Sequence, residues 1–258
     1  MLHGLNPIKS VFREKAKKGL FLGLLVLIML SVQAQRPYSV NVELTTESNT
    51  INYKLPGQQF YPIYVPSGSE FYDDQWMIGY VILENEDRYD SLMLKYNTYR
   101  DEIITVNDRA RTMIMLDKDA ITEFGLYEMP GVTKRFKKMD LDKIPKGEHY
   151  FNLPYDGNLK FAVWYRTLEE TTAPFKDKNG YLQISDFVLR HNYYILFPDG
   201  QFEKFKLNRQ SLIQLFPDHK REIRRMLRRD RNWVKTEDDA ARAIEMIEKQ
   251  FFTFSETK

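Results

Sequence analysis

The chain has 258 residues, of which 43% are apolar and 29% charged, and its formal net charge is +2. That composition suits a folded globular protein, not a disordered or collagen-like one. Cysteine is absent, which excludes a disulfide scaffold, thiolate-held zinc, iron–sulfur clusters and a cysteine nucleophile.

Residues 1–34 differ from the rest. Lys9, Arg13, Lys15, Lys17 and Lys18 face a single acid, Glu14, and precede an apolar run over 19–32. Val32-Gln33-Ala34 then places small or short residues where a signal peptidase reads them. This order predicts a signal peptide cleaved after Ala34, and so an exported protein, periplasmic or associated with the outer envelope. A membrane anchor needs roughly 20 apolar residues, and this run is shorter. Removing five of the 38 basic residues and one of the 36 acidic ones leaves a net charge of −2. The basic balance belongs to the targeting segment, and no global attraction to nucleic acid is expected.

Residues 35–75 read as an irregular lead-in with edge strands. Positions 38–44 alternate, 45–50 are polar, and Pro56-Gly57, Pro62, Pro66 and Ser67-Gly68-Ser69 interrupt the remainder. Residues 76–207 read as an antiparallel β-rich domain. Its first strands are expected at 76–83, 89–96, 101–106, 111–116, 123–129 and 133–139, with turns such as Asn85-Glu86-Asp87 and Asn107-Asp108 between them. The run at 133–139 carries Lys134, Arg135, Lys137 and Lys138, which predicts a solvated edge. Further strands are expected at 148–153, 159–167, 181–189, 193–197 and 201–207. Pro198-Asp199-Gly200 supplies a hairpin turn, since proline fixes φ and glycine accepts a positive one.

The period then changes from 2 to 3.6. Residues 208–258 are expected to pack two to three helices on the sheet. Ser211 would cap the first, Pro217 would open the second, and Thr236 with Asp239 would form a capping-box-like start to the last. Strands first and helices last predict an α+β fold, a curved antiparallel meander closed by C-terminal helices. Leu92, Leu94, Ile114, Ile195, Ile244 and Ile247 are the predicted core.

The runs Trp76-Met77-Ile78-Gly79-Tyr80-Val81-Ile82-Leu83, Leu92-Met93-Leu94-Lys95-Tyr96-Asn97-Thr98-Tyr99-Arg100-Asp101-Glu102 and Ser211-Leu212-Ile213-Gln214-Leu215-Phe216-Pro217-Asp218-His219-Lys220-Arg221-Glu222-Ile223 resemble a group of exported bacterial proteins for which no activity is known. The resemblance covers residues 70–252. It implies export and this fold, and carries over no catalytic residue.

Candidate chemistry is sparse. Asp177-Lys178-Asn179-Gly180 begins like a calcium loop, but Tyr181, Leu182 and Val188 stand where an EF-hand needs an oxygen ligand, a glycine and a bidentate carboxylate. A turn at Asn179-Gly180 is the simpler reading. Asp117/Asp119 and Asp140/Asp142 are spaced pairs that by themselves supply too few oxygens for a hard cation. Beyond residue 34 the histidines are His149, His191 and His219, with no metal-ligand spacing, and no Gly-x-Ser-x-Gly elbow is present. No catalytic residue, metal ligand or cofactor is assigned.

Two sets of residues remain as binding candidates. Trp76, Tyr80, Tyr96, Tyr99, Trp164 and Tyr165 lie on or near predicted strands, where they either stack on a glycan or partner peptide or fill the core. Arg224, Arg225, Arg228 and Arg229 belong to segment 218–235, which carries eight basic and three acidic residues, a local net of +5. The plain expectation is a solvated face neutralised by Glu237, Asp238 and Asp239; the alternative is an attraction to an anionic membrane surface or an acidic envelope partner. Together these features favour an exported, non-enzymatic binding or structural module of the envelope. The competing reading is a periplasmic hydrolase whose site is assembled from distant residues.

Overall fold

The computed structural model describes residues 39–45, 50–107, 111–129, 131–141, 144 and 147–252. The expected signal peptide and Asp108 and Asp142 lie outside the described residues. The described residues belong to one compact unit. Among the described residues, no helix is long and apolar enough to cross a membrane.

The strands are β1 (Ser39–Thr45), β2 (Thr50–Gln59), β3 (Met77–Leu83), β4 (Arg88–Asn97), β5 (Glu102–Asn107), β6 (Thr112–Leu116), β7 (Ile121–Met129), β8 (Val132–Met139), β9 (His149–Asp156), β10 (Lys160–Lys176), β11 (Leu182–Leu196) and β12 (Phe202–Phe205). They form an antiparallel sheet ordered β1-β2-β6-β5-β4-β3-β7-β8-β9-β10-β11-β12. Helices α1 (Arg209–Gln214), α2 (Lys220–Arg229) and α3 (Glu237–Phe251) come next, with a 3₁₀ turn at Pro217–His219. The expected strands-then-helices order is present, with far more sheet than helix.

Period-2 alternation places the core. Leu92, Leu94 and Tyr96 of β4 are buried on one face, as strand geometry requires. All six predicted core residues are at most 2% exposed. Gly125 is needed for close packing: a Cβ there would lie 2.1 Å from the Tyr80 ring.

The sheet curls. Thr98, just past β4, meets Thr167 of β10 through their hydroxyls at 2.7 Å, although four strands separate β4 from β10 in the ladder. The segment leading into β3 spans the gap. Its Gly68 bridges Phe187 of β11 and its Phe71 bridges Asn97 of β4. Inside the curl, Tyr96, Phe124, Phe136 and Tyr150 pack ring to ring, with Phe124 and Phe136 stacked at 4.6 Å. Leu212, Ile223, Leu227, Ile244 and Ile247 bring the helices into this same core. A second, smaller core of Phe151, Leu153, Ala162, Trp164, Tyr194 and Phe202 is covered by Leu141 and Ile144.

Four expectations are corrected. The run 133–139 is not an edge: β8 lies between β7 and β9. Its charges are tolerated because carboxylates and carbonyls from other elements meet them, Glu123 and Asp156 at Arg135 among them. The runs 181–189 and 193–197 are one strand, β11, since Arg190 continues the ladder and forks onto Glu170 across it. Strand β2 passes through Pro56-Gly57 at the point where pairing changes from β1 to β6, so the missing proline N–H costs no regular ladder. Asn208, not Ser211, caps α1, while the Ser211 hydroxyl accepts from the Lys206 N–H. At α3 the capping box of Thr236 and Asp239 forms as expected.

Candidate functional site

Lys134, Phe136 and Lys138 project from the same face of β8, and a polar cluster gathers around each lysine. Lys134, Glu128, Asn152 and Glu237 of the first cluster line an open cleft of about 620 Å³ between β8, β9 and the start of α3. Lys134 Nζ lies 2.6 Å from the Tyr72 hydroxyl, 3.2 Å from that of Tyr165, 3.5 Å from Glu128 and 3.7 Å from Glu237. The Tyr165 hydroxyl donates to Glu237 at 2.5 Å, and His191 Nδ1 meets the other Glu237 oxygen at 3.3 Å. Asn152 reaches Tyr165 at 3.4 Å. Its exposed wall mixes apolar and polar side chains, Met129 (64% exposed) and Val132 (43%) beside Glu128, Thr133, Thr236 and Asp238.

The electrostatics of the cleft are closed. Burial opposes ionisation of Glu237, but hydrogen bonds from His191 and Tyr165 and the Lys134 charge outweigh it and lower its pKa. Burial likewise opposes the Lys134 charge, but Tyr72, Glu237 and Glu128 outweigh it and raise its pKa. Burial pushes the Tyr72 phenol up to about 12 and that of Tyr165 higher still. The lysine is held as a cation, the glutamate as an anion and both phenols neutral. In these protonation states the set offers neither a nucleophilic amine nor a protonated carboxyl acid.

The second cluster is sealed. Asp101, 9% exposed, accepts from the Tyr96 hydroxyl at 2.6 Å, from Lys118 Nζ at 2.6 Å and from His149 Nδ1 at 2.9 Å. An ionised carboxylate only accepts, so the Nδ1 position carries the proton. Burial raises the Asp101 pKa, but His149, Lys118 and Tyr96 outweigh it, and the net shift is downward. Lys138 Nζ donates to the carbonyls of Lys118 and Asp119. The His149 ring lies 4.8 Å from Trp164.

The six aromatic candidates separate by burial. Tyr80, Tyr96, Trp164 and Tyr165 are each no more than 8% exposed, so they serve the core and its polar clusters and present no stacking face. Trp76 is half-buried beside Lys95, and Tyr99 is exposed, with its ring 5.0 Å from Phe187. Sequence reasoning missed Lys134, Glu237, His191, Asp101 and Lys118 as clustered groups. No local spacing joins them; only the curl of the sheet does. Among the described residues there is no group of three acidic or histidine side chains fit to hold a metal ion. Asp177 closes an Asx turn onto the Asn179 and Tyr181 N–H groups, as the turn reading expected.

The arginine candidates are all on the outer side of α2. Ile223, Met226 and Leu227 are buried, while Arg221, Arg224, Arg225, Arg228 and Arg229 are exposed. The expected neutralisation by the next helix is not present. Glu237 faces Tyr165, His191 and Lys134, and Asp239 takes Arg242 and the capping N–H groups. Among the described residues, Arg221, Arg224, Arg225 and Arg228 have no carboxylate within ion-pair distance; Arg229 meets only its neighbour Asp230.

The turn after α2 is rigidly built. Arg209 donates to the carbonyls of Leu227 and Asn232, and Asn232 donates to that of Asp239. Val234 is fully buried at φ 55, a strained value for a β-branched residue. Between these two anchored residues Trp233 is turned outward, 61% exposed, with the Arg209 guanidinium 4.3 Å from its ring centre. No family model matches the chain, nor does any curated protein or solved structure.

Proposed function

We propose that the chain is an exported envelope protein that binds its ligand without transforming it, and that the cleft at Lys134 and Glu237 is where it binds. The observation that carries this reading is the mutual locking of the cleft's ionisable groups beside an exposed wall of mixed apolar and polar side chains. Exposed apolar side chains beside a few fixed polar groups let a recognition pocket combine affinity with orientation. The ligand class that fits is one with both polar and apolar faces, a glycan or a peptide segment of an envelope partner.

Export rests on the order of basic, apolar and small residues in 1–34. Protein isolated from cells is expected to begin at Gln35; a chain still starting at Met1 and held in the membrane overturns that step. For the cleft, a photo-crosslinking residue at Val132 is expected to trap a discrete envelope component that the same residue at exposed Lys178 does not. Equal labelling from both positions removes the cleft from the reading.

One observation favours the hydrolase reading, the pairing of His191 with Glu237, the carboxylate that lines the cleft. Turnover of ester, amide or glycoside substrates that disappears in Glu237→Gln would establish it in place of simple binding.

A further inference from the structure

We propose that the outer face of α2, with Trp233 at its end, docks the protein on an anionic lipid surface. This goes beyond the cleft and stands without it.

Three observations carry the inference. The first is the stripe itself. Arg221, Arg224, Arg225 and Arg228 take the i, i+3, i+4, i+7 spacing of one helix face. They span about 10 Å at 1.5 Å per residue. Their guanidinium groups are exposed and, among the described residues, without acidic partners. Clustered cations left unneutralised repel one another, which costs stability when no anion is bound.

The second is Trp233. A large ring held 61% exposed on a well-anchored, strained turn is not a packing accident. It lies four residues past the end of α2, close to Arg228, Arg229 and Arg231 in the chain. Tryptophan and arginine together are the residues of the membrane–water interface, one entering the headgroup layer and the other pairing with phosphate.

The third is shape and charge. The stripe lies along one exposed helix face, so it can meet a plane of charges along its whole length. A nucleic acid strand would need free aromatic faces for stacking, and the Arg209 guanidinium already covers one face of Trp233. Beyond residue 34 the chain is net negative, as its composition shows. An anionic surface therefore attracts this helix and repels much of the rest, which sets the orientation as well as the contact.

The test uses the chain as isolated from cells and vesicles of phosphatidylglycerol with phosphatidylcholine, or of phosphatidylcholine alone. Binding is expected only to the anionic vesicles and is expected to weaken steeply between low and physiological salt. Tryptophan emission is expected to shift to shorter wavelength on binding, and Trp233→Phe is expected to remove that shift. Changing Arg224, Arg225, Arg228 and Arg229 together to Gln should reduce binding on the order of 100-fold or more while the thermal transition stays in place. If that variant unfolds, the pair Arg224→Gln and Arg228→Gln gives the same reading with a smaller loss. Equal binding by wild type and variant, absence of binding, or an emission shift that persists in Trp233→Phe overturns the proposal. So does tighter binding to duplex DNA or polyglutamate than to the vesicles.

Discussion

Lys134 and Lys138 sit on one face of one strand, on either side of Phe136, and end in unlike surroundings. Lys138, 7% exposed, donates to backbone carbonyls of the β6–β7 turn, and its neighbour Lys118 binds Asp101. Everything in that cluster comes from the sheet and its turns. Lys134, 23% exposed, takes an anion from outside the sheet, Glu237 in the first turn of α3. The sealed cluster closes the curl on itself. The open cluster ties the helical segment to the curl and leaves room for a ligand. One sequence pattern, a lysine two residues from a core phenylalanine, thus serves closure at one end and assembly at the other. The difference is set by what approaches from elsewhere in the chain.

Phe136 separates the two clusters, and removing it should damage both. Phe136→Ala is expected to cost about 3–5 kcal/mol, the range for a fully buried aromatic. Urea unfolding measures it, and a loss below about 1 kcal/mol would mean that the ring stack with Phe124 is not the wall between the ends. Asp101→Ala comes next. It leaves the buried Tyr96 hydroxyl and the largely buried His149 short of an acceptor, and Lys118, 28% exposed, without its anion, at an expected cost of about 2–4 kcal/mol.

The same carboxylates predict an acid response. The folded pKa values of Asp101 and Glu237 lie below their ordinary values of 3.8 and 4.5. Each therefore stabilises the fold above its ordinary value, and that contribution is lost as pH falls through the lowered one. Thermal melts should stay level down to about pH 5 and fall below it. Asp101→Asn should flatten that fall more than Glu237→Gln does, because the sealed carboxylate is less screened. The reverse order would show that the cleft, and not the sealed end, carries the acid sensitivity. Lys134→Met ranks lower in stability, at about 1 kcal/mol, because solvent screens a half-open pair.

The parts legible in sequence were those with local causes. Alternation in 89–96 placed Leu92, Leu94 and Tyr96 inward, and Thr236 with Asp239 announced α3 through backbone capping. The turns at Asn179-Gly180 and Pro198-Asp199-Gly200 formed where their φ preferences said. Apart from the cap of α1, where Asn208 takes the place expected of Ser211, what failed depended on distant partners. Lys134 and Lys138 looked solvated because Glu237 and the 118–119 carbonyls are far away in the chain. Arg190-His191-Asn192 looked like a break because the match for Arg190 is Glu170, across a hairpin. For Tyr96 and Tyr165 the sequence offers both stacking and core filling, because composition does not say which side of a sheet is inside. The stripe on α2 was visible as charge. Its lack of acidic neighbours was not, because Glu237 and Asp239 are near in sequence and engaged elsewhere.

The smallest expected effects compare the two histidines directly. His149 and His191 each face a carboxylate, Asp101 at 2.9 Å and Glu237 at 3.3 Å. The His149 side chain is 13% exposed and that of His191 39%. Removing His149 takes a donor from a buried anion and contact from Trp164, so His149→Ala should cost about 1–2 kcal/mol. Removing His191 leaves Glu237 with Tyr165 and Lys134, in a place water can reach. His191→Ala should therefore cost about 0.5 kcal/mol or less. Denaturant unfolding of both variants at neutral pH gives the comparison. If His191→Ala costs as much as His149→Ala, the cleft is not an open end at all. Its groups would then be a second structural seal, and the binding reading would lose its site. If the inequality holds, His191 is free of structural duty, and a change in ligand capture on its removal can be read as recognition.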